Sequence, residues 1–316
     1  MKLKDKKIEI IDTTLIELWQ NHRENMKKNL DKVNELIKLI YLAGADFIQI
    51  TEELYEFMLK LPDDVEFTLN YYYKNVEINS ASEINKLIKT FENNKKIKRV
   101  RISGLDDLIF YDYESILLEI NTKYEEIVEL SLGDKYRSST GMAVEWIKLG
   151  GKRILTSFAG IGGNTHLEEL LGVLRYVEDI KIRGDFSVFP KLSKIYEEII
   201  EESICYNKPI VGEDIFNVES AIHVDGIEKN PKLFEPYNPI EVGRERNIII
   251  GKYSGIKSIK IKLKELKISY NSELLKDVLE EVRKESMMNR RRLSDNELIQ
   301  IYKKVSDFSE KRCSYC

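Results

Sequence analysis

The chain has 316 residues, 42% hydrophobic and 33% charged, with a formal net charge of -4 at pH 7. Such a composition is that of a soluble globular chain able to bury a sizeable core, and it lacks the basic footprint of a nucleic-acid binder. No apolar run reaches the roughly 18 residues of a membrane-crossing helix, and no signal-type apolar region follows the charged stretch Met1 to Lys7, so the expected location is cytoplasmic.

In chain order, Ile8–Leu15, Phe47–Ile50, Val65–Leu69, Lys98–Ser103, Ile127–Leu132 and Arg153–Phe158 read as strands. Between them lie segments such as Asn29–Leu42, with apolar residues at helical spacing. Gly44 stands where that helix needs a C-cap, directly before the next strand. Alternating strands and helices predict parallel strands joined by right-handed crossovers. The number of units favours a closed barrel over an open sheet, and no G-x-G-x-x-G follows the first strand.

The pattern changes near residue 205. Asn207–Gly212 reads as a turn and a short apolar run, and Glu219–Gly226 as a loop. Lys229–Pro239, with its prolines, should be extended or irregular, and Arg246–Gly251 could form a short strand. Ser272–Lys284 and Ser294–Lys304 read as amphipathic helices, the second opened by a capping box of Ser294 and Glu297. The domain reading is a TIM (β/α)₈ barrel at 1–215, a linker or lid at 216–262 and a small helical domain at 263–316. The three cysteines, Cys205, Cys313 and Cys316, are expected as free thiols. Cys313 and Cys316 form a C-x-x-C, two ligands short of a zinc site.

Two stretches, NKPIVGEDIFNVESAIHVDG at Asn207–Gly226 and EVGRERNIIIGKYSG at Glu241–Gly255, closely resemble the segment that follows the barrel in the homocitrate synthase and 2-isopropylmalate synthase family. The nearest likeness is to the homocitrate synthases of nitrogen fixation. The DTTL of the first strand and the later LAGADFIQI resemble the family's first two strands. The resemblance implies an enzyme that joins acetyl-CoA to a 2-oxo acid. A divalent metal polarises the keto group there, and a base takes a proton from the acetyl methyl.

Measured against that family, the metal site is depleted. After DTTL the family continues with Arg and an acidic ligand; here the residues are Ile16 and Glu17. Asp12 and Glu17 are what remain of the metal site. The family's H-x-H-N-D matches Lys135-Tyr136-Arg137-Ser138-Ser139, so two cations replace two imidazoles and cannot coordinate a metal. Of the G-E-R-A-G-N turn only Gly163-Asn164 survives. The expectation is a catalytically silent barrel without a metal of its own, in which Lys135 and Arg137 sit near Glu17 in place of the ion. A weaker reading makes Lys135 and Arg137 a binding site for a small acid.

The family's S-G-I-H histidine, which works over a neighbouring subunit's barrel, corresponds to His223. An imidazole suits proton transfer near neutral pH. The family's partner tyrosine corresponds to Phe234, leaving Tyr237 as a weaker substitute. His22 and His166 read as surface residues. A silent barrel beside a retained His223 resembles the omega-type subunit of a split homocitrate synthase. The implied partner carries an intact barrel with the divalent metal, and the complex makes homocitrate from acetyl-CoA and 2-oxoglutarate for the nitrogenase cofactor. The alternatives are a regulatory or scaffold relative, or a subunit of a 2-isopropylmalate or citramalate synthase.

Overall fold

The computed structural model describes residues 8–58, 60–69, 74–78, 80, 99–124 and 128–313. They fall into two compact units: Met1–Ile215 with Glu241–Gly243, and Phe216–Ile240 with Arg244–Cys316. Among the described residues no helix is long and apolar enough to cross a membrane. Cys205 is an exposed free thiol, Cys313 closes the last helix, and Cys316 lies outside the described residues.

Unit 1 begins with β1 (Glu9–Asp12), α1 (Thr14–Asn21), α2 (Arg23–Lys28), α3 (Leu30–Ala43), β2 (Phe47–Ile50) and α4 (Glu52–Met58). Next come β3 (Phe67–Leu69), β4 (Lys74–Ile78), β5 (Val100–Gly104), α5 (Tyr113–Tyr124) and β6 (Val128–Leu132). It continues with α6 (Ser139–Lys148), β7 (Arg153–Thr156), α7 (Leu167–Tyr176) and α8 (Phe189–Ile200). The strands are parallel and lie in the order β3-β2-β1-β7-β6-β5-β4. From β4 through β7 and β1 to β3 the order advances in one direction without reversing. Right-handed crossovers then put every helix on the same face, and the sheet must curl into a barrel wall. The barrel expectation implies eight strands, whereas the sheet of unit 1 has seven among the described residues. β7 pairs directly with β1, Glu9 opposite Arg153 through Asp12 opposite Thr156, which leaves no place for another strand between them.

On the outer side, α3 buries Val33, Leu36, Ile37 and Ile40, and it packs against α8. The helical spacing of those residues is the stripe visible in the sequence. Inside the sheet runs a charged row. Glu9, Arg153, Glu129 and Arg101 stand side by side in register on β1, β7, β6 and β5. Arg153 Nε donates to Glu9 at 2.7 Å, Arg101 to Glu129 at 3.1 Å, and Arg101 also to Gln49 at 3.0 Å. Alternating signs let buried ions neutralise one another, the condition under which ions persist in a core.

The first strand ends sooner than the sequence predicts, at Asp12 instead of Leu15, because Asp12 Oδ1 accepts the Thr14 amide at 2.9 Å and turns the chain into α1. Thr13 and Thr14 then tie this turn to β7. Thr13 Oγ1 donates to Thr156 O at 3.0 Å, and Thr14 Oγ1 accepts the Phe158 amide at 2.7 Å.

Unit 2 holds a parallel pair, β8 (Asn217–Val218) with β9 (Asn247–Ile248), and four helices. These are α9 (Ala221–Lys229), α10 (Ile256–Glu265), α11 (Leu275–Asn289) and α12 (Asp295–Cys313). Ile259, Leu263, Val278, Val282 and Leu298 form its fully buried core. The Ser294–Glu297 capping box is present: the Glu297 amide donates to Ser294 Oγ at 3.3 Å, and Ser294 N donates to Glu297 Oε2 at 2.8 Å. The segment Glu219–Gly226, predicted as a loop, instead enters α9, anchored by the buried Val224. Gly226 is required inside that helix because a Cβ there would stand 2.1 Å from the Phe234 ring.

The charged row supplies a stability test. Arg101→Met removes the cation 3.1 Å from the buried Glu129, leaving Arg99 at 3.9 Å, and should destabilise unit 1 by about 3–5 kcal/mol in urea denaturation. Arg101→Met combined with Glu129→Leu should recover most of the loss, because no uncompensated ion remains.

Candidate functional site

The carboxyl ends of β1, β6 and β7 bring the polar residues of unit 1 together. Asp12 is the last residue of β1 and Glu17 lies in the first turn of α1. Asp134 follows β6, and the loop Phe158–Gly163 with Asn164 follows β7. Within that loop Ile161 (φ -55, ψ 142) and Gly162 (φ 76, ψ 4) form a type II turn. The turn presses onto Glu17, since a Cβ on Gly162 would lie 2.2 Å from Glu17 Oε2. Asn164 Nδ2 donates to Glu17 Oε1 at 3.1 Å. Burial raises the pKa of Glu17, with that hydrogen bond opposing it.

Asp12 is fully buried. Its Oδ1 holds the Thr14 amide, and its Oδ2 has no hydrogen-bond partner. Burial pushes its carboxyl up to about 7, the Thr14 hydrogen bonds pulling the other way and Glu168 and Glu17 adding to the rise.

A second cluster adjoins it. His166, expected at the surface, is instead a partly buried member of this cluster, its side chain 19% exposed. Its Nε2 lies 3.2 Å from Asp134 Oδ2 and its Nδ1 2.8 Å from Glu169 Oε1. The ammonium of Lys208 is 2.6 Å from His166 Nδ1, 2.9 Å from Glu169 Oε1 and 3.2 Å from Glu168 Oε1. Glu168 is fully buried and its Oε2 accepts the Ala159 amide at 2.9 Å. Burial works against the charge on Glu169, but hydrogen bonds from His166 and Lys208 outweigh it and hold that carboxyl at about 2. Lys208 likewise titrates above its ordinary range, because Glu168 and Glu169 overcome its burial.

The expected neutralisation of Glu17 by Lys135 and Arg137 is not present. Both are exposed in the loop after β6, and among the described residues neither pairs with Glu17 or Asp12. Their backbone explains it: Lys135 N donates to Asp106 Oδ1 at 3.1 Å and Arg137 takes a positive φ of 55°, a turn at the rim. Nor does the retained set fit the family's divalent metal. Two exposed cations stand at the positions of the imidazoles, so the nitrogen ligands are missing; Asn164 holds Glu17 Oε1 and the Thr14 amide holds Asp12 Oδ1, leaving Asp12 Oδ2 as the one oxygen of Asp12 without a partner. The residues the sequence reading passed over are His166, Glu168, Glu169 and Lys208. The T-H-L-E-E at 165–169 carries a local signal, a histidine three residues before a glutamate on one helix face. Lys208 carries none, because it arrives from 39 residues away.

In unit 2, His223 is exposed in the first turn of α9. The ring beside it is Phe234, edge-on at 5.7 Å. Tyr237 packs edge-on against Phe216 at 5.5 Å. Asp225, two residues on, is held at about 2 by hydrogen bonds from Lys229 and Lys257, which pin α9 to α10.

A parallel α/β barrel wall with its carboxylates, amide and imidazole at the carboxyl ends of the strands has the layout of barrel enzymes, whose chemistry sits on that face. Residues 210–291 match the family model described as "Homocitrate synthase post-HMGL domain-like". Along the whole chain there is 31% identity over 316 residues to "Homocitrate synthase, omega subunit" of Clostridium pasteurianum, covering 95% of this chain and 89% of that one. "Homocitrate synthase AksA" of Methanocaldococcus jannaschii is 39% identical over 42% of this chain and 34% of its own. "2-isopropylmalate synthase 2" of Caldanaerobacter subterraneus subsp. tengcongensis is 32% identical over 74% of this chain and 63% of its own. The chain belongs to the homocitrate synthase family.

Asp12 makes the stability of this site pH-dependent. Its folded pKa of about 7 lies above its ordinary 3.8, so the fold holds a proton that the unfolded chain releases. Its contribution therefore falls as pH rises through that window and stays low above it. Asp12→Asn keeps the acceptor for Thr14 and removes the ionisation. Its melting temperature relative to wild type should climb between about pH 4 and pH 8, by the equivalent of a few kcal/mol. An unpartnered amide adds only a constant offset, so a flat difference across pH would contradict the assignment.

Proposed function

We propose that this chain is the omega-type half of a divided homocitrate synthase, working beside a second polypeptide that carries an intact metal-bearing barrel. The observation that carries the reading is the contrast between the two units. At the barrel mouth the imidazole positions are exposed Lys135 and Arg137, while in unit 2 the family's acid–base histidine, His223, stands exposed on α9. The full-length likeness to a protein named as an omega subunit supports it.

The reaction assigned to the complex is acetyl-CoA plus 2-oxoglutarate and water giving homocitrate and CoA, serving the nitrogenase cofactor. The methyl of acetyl-CoA loses a proton and its carbon adds to the keto carbon; water then cleaves the thioester and releases CoA. A divalent metal held by the partner's barrel would supply Lewis-acid polarisation of the keto oxygen. This chain supplies the His223 imidazole for proton transfer, a role to which an imidazole is suited. Phe234 holds the ring edge-on but has no hydroxyl to share in the exchange, and Tyr237 packs on Phe216. In this reading residues 216–262 act as the covering segment and 263–316 as its support.

Co-expression with a chain bearing an intact family barrel tests the proposal. CoA release with 2-oxoglutarate should appear only for the mixture. His223→Ala in the complex should lower kcat by about 10²–10⁴-fold without loss of assembly. Full activity from this chain alone would overturn the reading, as would an unchanged rate for the His223→Ala complex. Activity with 2-oxoisovalerate or pyruvate instead would keep the division of labour and change the substrate. Lys135 and Arg137, an exposed cationic pair at the rim, favour a second reading in which the barrel binds a small acid and regulates a partner. Saturable binding of 2-oxoglutarate by the isolated chain, lost in Lys135→Ala/Arg137→Ala, would select it.

A further inference from the structure

We propose that Lys208 is a built-in cation that fills a divalent-metal ligand set formed by His166, Glu168 and Glu169, so that this set binds a metal once the ammonium is removed. One donor atom from each of the three residues lies within 4.8 Å of the others, a spacing that one ion can bridge. The Lys208 nitrogen stands among them, at 2.6, 3.2 and 2.9 Å. A zinc ion makes bonds of about 2.0–2.2 Å to nitrogen and oxygen, so the donors need to draw in by roughly an ångström or less.

Two independent features mark this as a ligand set and not a generic ion pair. Glu168 Oε1 is buried and faces the Lys208 ammonium at 3.2 Å, with no further hydrogen-bond partner. A buried carboxylate oxygen directed at a cation is what coordination uses. Asp134 stands behind the imidazole, 3.2 Å from His166 Nε2, while its other oxygen takes the Ser139 amide at 3.0 Å. With a metal in place of the ammonium, a proton kept on Nε2 and shared with Asp134 would free the Nδ1 lone pair for it, the carboxylate–histidine pairing found behind metal-bound imidazoles. Thr140 Oγ1 similarly steadies Glu169 Oε2 at 3.4 Å. The set is distinct from the Glu17–Asn164 pair, whose donors already satisfy each other.

The charge sum explains the choice of lysine. The two carboxylates carry two negative charges, and Zn²⁺ with a neutral imidazole as its third ligand cancels both. Exchange of the side chain for the ion therefore leaves the carboxylates neutralised, provided the lysine is gone.

The test uses the purified full chain and zinc chloride alone, read by calorimetry and by melting temperature. Wild type should show no zinc binding that depends on His166. Lys208→Ala should bind about one equivalent and gain thermal stability on zinc addition. Adding His166→Ala to that variant should weaken binding about tenfold or more; this control separates the site from other ligands such as Cys313 and Cys316. Lys208→Gln, which keeps a hydrogen-bond donor without the charge, covers the case in which Lys208→Ala folds poorly. If zinc neither binds nor restores folding in both variants, the ligand-set proposal is overturned. It is equally overturned if wild type binds as tightly as they do. Activity is not a readout here, so the outcome stands apart from the divided-enzyme reading.

Discussion

Four residues of β1 lie in register with four of β7, and the geometry of the strand ends follows from that pairing. It brings the first and last strands of the sheet together, so that α1 and the loop after β7 start from neighbouring positions. Thr13 and Thr14 extend the junction beyond the last strand residue by bonding to Thr156 O and the Phe158 amide. The type II turn at Gly162 can then close on Glu17, and Asn164 reaches its carboxylate. The charged row from Glu9 to Arg101 runs through the same pairing, so the barrel interior and its mouth share one constraint.

Above that junction the balance of charge decides what the mouth can do. Asp12, Glu17, Glu168, Glu169 and Asp134 gather within a few residues of the strand ends, and Lys208 is the cation inside the cluster. Its ammonium serves Glu168 and Glu169 at once and, after the His166 hydrogen bond, helps hold Glu169 near 2 despite its burial. Asp12 lies beyond its reach and shows the opposite response, a carboxyl at about 7. Carboxylates in one neighbourhood are thus driven apart by whether a cation touches them.

The alternation of strands and helices was legible in the sequence, as were the stripe of α3 and the Ser294–Glu297 capping box, because each depends on residues a few positions apart. Membership of the family was legible in Asn207–Gly226 and Glu241–Gly255 for the same reason: these are long local patterns. The helical state of Ala221–Lys229 was hidden by Gly226, which reads as a breaker until Phe234 is seen lying against it. The electrostatic partner of the barrel carboxylates was sought at Lys135 and Arg137, adjacent to the depleted motif. It is Lys208, brought in from after α8 by a contact that no local pattern encodes. Lys208 pairs with Glu168 and Glu169, not with the Asp12 and Glu17 beside which Lys135 and Arg137 were expected.

A side-chain ammonium differs from a bound ion in having no dissociation constant. The occupancy of an ion rises and falls with its supply and can be stripped by a chelator. A lysine attached to the same chain is present at a fixed effective concentration whatever the medium contains. Under the proposed assignment, the cluster around Lys208 would hold its charge state through metal scarcity and metal excess alike. In the proposed division of labour, only one of the two barrels competes for a limiting ion.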